Sequence, residues 1–154
     1  MGFRDQAAIT IQGVNPRHGC EVRRVAAQSI PNVAATLISW DTETVDTDGF
    51  IVVPDTLITI PAGFAGLYLV TAAANYAANV AGANRDLDLI LNGVTIVAGR
   101  HHAPTAVAGN QTRTQIGFVL PLNVGDTLSV QVFQNSGGAL NLNSAMIGCY
   151  RVAA

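Results

Sequence analysis

The stretch Leu120-Pro121-Leu122-Asn123-Val124-Gly125-Asp126-Thr127-Leu128-Ser129-Val130-Gln131-Val132 reads strand, sharp turn, strand. Leu120 and Leu122 alternate with other residues, and Leu128, Val130 and Val132 resume the same period of two, the pattern of a strand with one face buried. Between them Gly125 is free to take positive φ, and the Asp126 carboxylate can bond nearby backbone amides. An earlier segment echoes this one: Ile58 and Ile60 alternate into Pro61, a turn runs through Gly63 and Gly66, and Leu67-Tyr68-Leu69-Val70 follows. The chain closes on a further apolar strand from Ser144 to Val152.

Taken in order, these segments resemble the complement-component-one-q and tumour-necrosis-factor jelly-roll family. The Gly-x-Tyr strand of that family appears as Gly66-Leu67-Tyr68. Its Leu-x-x-Gly-Asp-x-(Val/Leu) turn appears as Leu122-Asn123-Val124-Gly125-Asp126-Thr127-Leu128, and its final strand as Met146-Ile147-Gly148. Trp40-Asp41 and Asp48-Gly49-Phe50 stand where the family enters its first long strands. The resemblance covers about residues 28 to 152 and departs at Ile60, Val70 and Met146, where the family usually carries aromatics. It implies a ten-strand antiparallel jelly-roll sandwich that assembles as a homotrimer.

Composition bears on the same point. The chain has 154 residues, enough for one domain with a sizeable core. Apolar residues make up an ordinary 49%, but charged residues only 12%, about half the usual share of a soluble domain. No apolar run approaches the ~20 residues that cross a bilayer, so no membrane partner is expected. Burial against other subunits accounts for the shortage of charge better than a surface of uncharged Ala, Thr, Asn and Gln does. A formal charge of −2 argues against a nucleic-acid partner, which needs a basic footprint. Every basic side chain is arginine, read here as codon bias. The start Met1-Gly2-Phe3-Arg4-Asp5 has no secretory h-region.

Residues 1–27 read differently from the rest. They hold Arg4, Arg17, Arg23 and Arg24, one short alternating run (Ala8-Ile9-Thr10-Ile11-Gln12), and a turn-rich break from Asn15 to Gly19. The expectation is an amino-terminal docking arm over 1–27, with those arginines as forked donors, and a jelly-roll domain over 28–154. Within that domain the patterning predicts strands Ala34–Trp40, Gly49–Val53, Leu57–Ile60, Leu67–Tyr76, Asp86–Leu91, Val94–Gly99, Thr112–Leu120, Thr127–Gln134, Ala139–Leu142 and Ala145–Val152. Asn92-Gly93 supplies the two left-handed residues of a type I′ hairpin, and Asn135-Ser136-Gly137-Gly138 a looser one. The alanine-rich stretch Ala72 to Ala83 reads as strand and loop, not helix, because asparagines and Gly82 interrupt it.

Little points to catalysis. There is no Gly-x-Ser-x-Gly elbow, phosphate loop or dinucleotide fingerprint, so neither enzyme activity nor a cofactor is expected. His101 and His102, expected in a loop, point to opposite sides in extended chain. They read as solvated imidazoles, with three copies of one histidine meeting on a trimer axis as the sharper alternative. Asp86 and Asp88 share one strand face beside Arg85 and read as a solvated or arginine-paired face. The calcium that some family members bind near the axis is the alternative. Asp41, Glu43, Asp46 and Asp48, interleaved with threonines, resemble a loop capping its own turns. Cys149 reads as a small buried hydrophobe, and Cys20 lies in the arm. A disulfide between them is the lesser alternative, and a zinc site lacks two ligands.

Compact members of the family resemble bacteriophage virion proteins. The expected function is therefore a non-enzymatic, trimeric capsid-decoration or head-fibre protein. It would be assembled in the host cytoplasm and docked by its arm to the major capsid protein or another virion protein. The alternative is a receptor- or glycan-binding head of a tail fibre or baseplate, with a cell-surface glycan as partner.

Overall fold

The computed structural model describes the backbone of residues 17–104 and 109–154, and the side chains of these outside 95–100. The described residues form strands β1 (Gly19–Arg24), β2 (Gln28–Ile30), β3 (Thr36–Leu37), β4 (Thr42–Asp46), β5 (Ile58–Thr59), β6 (Gly66–Tyr76), β7 (Arg85–Leu91), β8 (Val94–Ala103), β9 (Thr112–Leu122), β10 (Thr127–Gln134) and β11 (Leu140–Ala153), with no helix. The first sheet runs β4-β1-β11-β6-β9, with β2 also on β11. The second runs β3-β10-β7-β8, with β5 also on β10. Every strand pairing is antiparallel. Strands β6, β10 and β11 send alternate side chains inward. Tyr68, Val70, Tyr76, Leu128, Val130, Val132, Ile147 and Cys149 thus meet Leu87, Leu89, Trp40 and Phe50 in one core. Each such fully buried large side chain contributes about 1.5–3 kcal/mol of transfer free energy.

The two echoing segments of the sequence come together in space. The Gly125 N–H donates to the Ile60 carbonyl at 2.9 Å, and the Ile60 N–H to the Asp126 carbonyl at 2.9 Å. The Asn123–Asp126 turn carries the chain from the first sheet into the second. Gly125 sits there at φ +84°, where a β-branched residue would cost of order 1–3 kcal/mol. Asn92 and Gly93 take φ +50° and +76°, the two positive angles of the predicted hairpin.

The structure corrects the sequence reading in several places. Eleven strands form among the described residues, where ten were expected. Ala139–Leu142 and Ala145–Val152 are one strand, β11, with a register shift between Leu142 and Ser144. Asn135–Gly138 is not a hairpin but a crossing between sheets, since β10 and β11 belong to different ones. Gly49–Val53 forms no strand. The amides of Asp48, Gly49, Phe50 and Ile51 all donate to the Asp46 carboxylate and so are lost to a ladder. The acidic stretch does cap its own turns as expected, but Thr42–Asp46 itself is a strand. Ala34–Trp40 reduces to β3, with Trp40 bridging Asp55.

The largest correction concerns the arm. Residues 19–24 are a strand between β4 and β11, with Cys20 and Val22 fully buried, so the boundary at residue 27 is wrong. Strand β1 has only those two inward apolar side chains. Glu21 and Arg23 take the outward positions and hide the alternation. Arg4 and the Ala8–Gln12 run lie outside the described residues.

Candidate interaction surface

Period-two alternation that fills the core must also decide what the first sheet shows to the outside. On β6 the outward residues are Leu67, Leu69, Thr71, Ala73 and Asn75. On β9 they are Arg113, Gln115, Gly117, Val119 and Pro121, and on β11 Ser144, Met146, Gly148, Tyr150 and Val152. Arg113 is the only charged residue among them. Register sorts them into rows across the strands. One end of the face is apolar: Leu67 (38% exposed), Leu69 (41%), Val119 (55%) and Val152 (55%) lie together with Pro121 and Tyr150. The middle row, Gly148–Thr71–Gly117, is made of small side chains and leaves a waist. At the far end Arg23 and Arg113 flank a concavity of about 460 Å³ floored by Ala73, Asn75, Ser144 and Met146.

The motif residues position this face. A Cβ on Gly66 would stand 2.3 Å from the Ala153 carbonyl oxygen, so only glycine lets β6 begin flush against β11. Tyr68 is buried below the apolar end and donates its hydroxyl to the Phe64 carbonyl. Burial pushes its phenol up to about 12. A Cβ on Gly148 would lie 3.2 Å from the Tyr150 ring and 3.3 Å from Thr71 Oγ1, so glycine there keeps the waist thin. Leu122 and Leu128 are core residues on either side of the turn. The Asp126 carboxylate accepts the Asn123 N–H at 2.7 Å and the Asn92 side-chain amide at 2.9 Å. Those bonds, the backbone one foremost, hold it below the usual carboxylate range.

The described arginines of the expected arm do three different things. Arg17 is exposed ahead of β1. Arg23 lies on the outward face and forks onto the Glu21 carboxylate at 3.1 and 2.8 Å. Arg24 is spent internally: it donates to the carbonyls of Ala26, Ser39 and Ala27 and lies 3.5 Å from Asp41. The Asp41 carboxylate in turn accepts the Val25 and Ala26 amides at 2.9 Å each. Partial burial opposes its ionisation, yet these bonds leave it below its ordinary value. The segment ahead of β1 is anchored as well: His18 Nδ1 pairs with Asp48 Oδ2 at 2.8 Å, and its ring lies 4.7 Å from Phe64.

The second sheet carries the remaining chemical candidates. His101 and His102 are in β8, not a loop, and do point to opposite sides. His101 Nδ1 accepts the Gln115 N–H at 2.9 Å, while His102 Nδ1 pairs with Asp86 Oδ1 at 2.6 Å. Asp86 and Asp88 are therefore not a solvated face; they are 8% and 3% exposed. Arg85 does not pair with them, because it points into the core and donates to the carbonyls of Asn84, Ala81 and Asn79 at 2.7, 3.0 and 3.4 Å. Among the described residues no group of three His, Cys, Asp or Glu is poised to hold a metal ion. Nor is any helix among them long and apolar enough to cross a membrane.

No family model matches the chain, and no curated protein matches it by sequence. Solved structures do. The globular domain of a zebrafish complement 1qA protein superposes with a TM-score of 0.60 at 13% identity, covering 88% of this chain and 97% of its own. The vertex protein P5 of PRD1 gives 0.66 at 17%, covering 87% and 96%. Murine APRIL, of the tumour-necrosis-factor group, gives 0.58 at 11%, covering 86% and 98%. The chain has the C1q/TNF-like jelly-roll fold. That fold was legible in the sequence from three short motifs. The small-residue waist and the His102–Asp86 pair were not, since both depend on cross-strand register.

Proposed function

We propose that this chain is a non-enzymatic bacteriophage virion protein, a homotrimer that decorates or caps the capsid. The observation that carries the reading is the outward face of β6, β9 and β11. It is a sheet surface with an apolar end, a thin waist and a single charge, and two further copies of the same chain are its occupants. Three such faces meeting about an axis remove Leu67, Leu69, Val119 and Val152 from water, which accounts for the scarcity of charge. The likeness to a PRD1 vertex protein supports a place on a virion by analogy of fold.

Attachment to the particle is assigned to the segment ahead of β1, with Arg4 and Arg17 as donors to carboxylates or carbonyls of the major capsid protein or another virion protein. Arg24 is not available for this role, and Arg23 belongs to the sheet face. Sedimentation equilibrium of the purified chain should give three times the chain mass at micromolar concentration; a stable monomer sinks the trimer. Removing residues 1–16 and replacing Arg17 by Ala, which leaves β1 intact, should keep the trimer folded while abolishing co-sedimentation with particles that lack the protein. Equal co-sedimentation of both forms would place attachment on the sandwich. Binding of both forms to host cells or glycans, and to no particle, would make the protein a receptor-binding head instead.

A further inference from the structure

Cys20 and Cys149 are far apart in sequence yet stand directly opposite each other on the neighbouring strands β1 and β11. Directly opposed residues of an antiparallel pair project their side chains to the same side, here into the core, where both thiols are fully buried and free. The register also fixes their separation. The Arg151 N–H donates to the His18 carbonyl at 2.8 Å, and the Cys20–Cys149 pair lies two residues along from that bond. It is therefore a hydrogen-bonded pair with Cα atoms about 5.5 Å apart, within the about 4.4–6.8 Å that a disulfide spans. The Cβ atoms of such a pair also stand about 5.5 Å apart, against the about 3.5–4.5 Å of a disulfide, so closure draws β1 and β11 together by about 1 Å at this point.

We propose that Cys20 and Cys149 are a latent redox staple, able to close into an intrachain disulfide that fixes β1 to the last strand. The co-reactant is a small-molecule disulfide such as glutathione disulfide. One cysteine thiolate attacks it, forming a mixed disulfide and releasing one thiolate. The second cysteine thiolate then attacks the protein sulfur of that mixed disulfide, forming the Cys20–Cys149 bond and releasing the second thiolate. The protein loses two electrons and two protons, and the external disulfide is reduced to two thiols.

The fold sets when this can happen. In the closed sandwich no oxidant reaches either sulfur. Burial, reinforced by the neighbouring Cys149, Asp46 and Glu43, pushes the Cys20 thiol far up, and burial pushes that of Cys149 up to about 12, so neither offers thiolate. Strand β11 also leaves synthesis after all the other described strands, so the two residues meet only once the rest of the sandwich has been made. Closure belongs to the moment of folding or to an opening of β1, and a closed loop of this length constrains the unfolded chain strongly.

The test uses the full chain, unfolded with reductant and refolded by dilution into a glutathione/glutathione disulfide mixture. After alkylation under denaturing conditions, the intact mass should show two alkyl groups fewer and the loss of two hydrogen atoms. The circular dichroism should be native and the Tm higher by about 5–10 °C. Reductant should reverse the shift, and Cys149→Ala should abolish it. Two alkylated thiols in natively refolded protein would overturn the proposal. So would retained glutathione, or a Tm that is unchanged or lowered in the oxidised form. If dilution yields no native protein, the same mass measured on chain produced in cells with an oxidising cytosol decides between the same outcomes.

Discussion

The two outward faces of the sandwich are built on opposite principles. On the second sheet the outward positions of β7 and β10 carry Asp86, Asp88, Ile90, Thr127, Ser129, Gln131 and Phe133; Asp86, Asp88, Ile90 and Ser129 are almost fully covered, and Asp86 is matched by His102. That face buries acidic side chains and pairs one of them with its own histidine. On the first sheet the outward positions of β6, β9 and β11 carry mostly small, apolar or uncharged side chains and one charge, and many of them stay exposed among the described residues. The scarcity of charge in the sequence is thus not spread evenly. It is most marked on the outward positions of β6, β9 and β11, a location that composition alone does not give.

The largest test of that contrast puts one charge on each face. Leu69→Arg should convert the proposed trimer to monomer at micromolar concentration in a sedimentation experiment, since burying an uncompensated charge costs about 3–5 kcal/mol. Leu37→Arg, on the outward side of β3, should leave the trimer intact. Loss of the trimer in both variants would erase the distinction between the faces. A subtler probe is Gly117→Val at the waist. A Cβ there meets only Thr71 Cγ2 at 3.6 Å and the Val70 carbonyl at 3.9 Å, ordinary contacts that the single chain tolerates. The variant should keep its fold but weaken subunit association by about tenfold or more, a loss of about 1.4 kcal/mol or more. Unchanged association would show that no partner approaches the waist.

Tyr76→Phe sharpens the comparison from inside. The Tyr76 hydroxyl ties the first sheet to the second by donating to the carbonyls of Asp86 at 2.6 Å and Phe133 at 3.2 Å. Its loss should cost about 1–2 kcal/mol in chemical denaturation, with oligomeric state unaffected. The smallest effect is expected from acid. Asp41, Asp48 and Asp126 are held below their ordinary values, chiefly by hydrogen bonds from the Val25 and Ala26 amides, the Thr47 hydroxyl and the Asn123 amide respectively. A carboxylate whose folded pKa is depressed stabilises the fold above its unfolded value, and that contribution is lost as pH falls through the folded one. The Tm should therefore be flat from pH 7 to 5 and decline below about pH 4. The trimer should survive to the point of unfolding, because none of these groups is on the first face. A decline beginning near pH 6 would instead show that these three carboxylates do not set the acid limit.

The central strands were readable because β6, β9 and β10 are long and alternate cleanly, and because Gly125 and Asn92-Gly93 name their turns outright. The amino-terminal third was not. Strand β1 hides two inward side chains among charges, and Asp46 takes four amides that a strand pattern would have assigned to a ladder. The His102–Asp86 pair shows the limit of register. A regular hairpin continuing from Leu91–Val94 and Ile90–Thr95 would set Asp86 opposite Gly99; the irregularity between Asp88 and Ile90 sets it opposite His102 instead. Sequence gives the turn, but a bulge placed beyond it decides which side chains meet.

Because β1 and β11 are neighbours running in opposite directions, Arg17 and His18 share one cleft with Val152, Ala153 and Ala154. A cargo fused after Ala154 would emerge on the rim that carries Arg17 and His18, and would crowd that cleft. The Asn92–Gly93 hairpin tip has exposed residues and open space around its glycine. Cargo inserted at that tip would emerge from the second sheet and leave the outward face of β6, β9 and β11 untouched, a practical route to display.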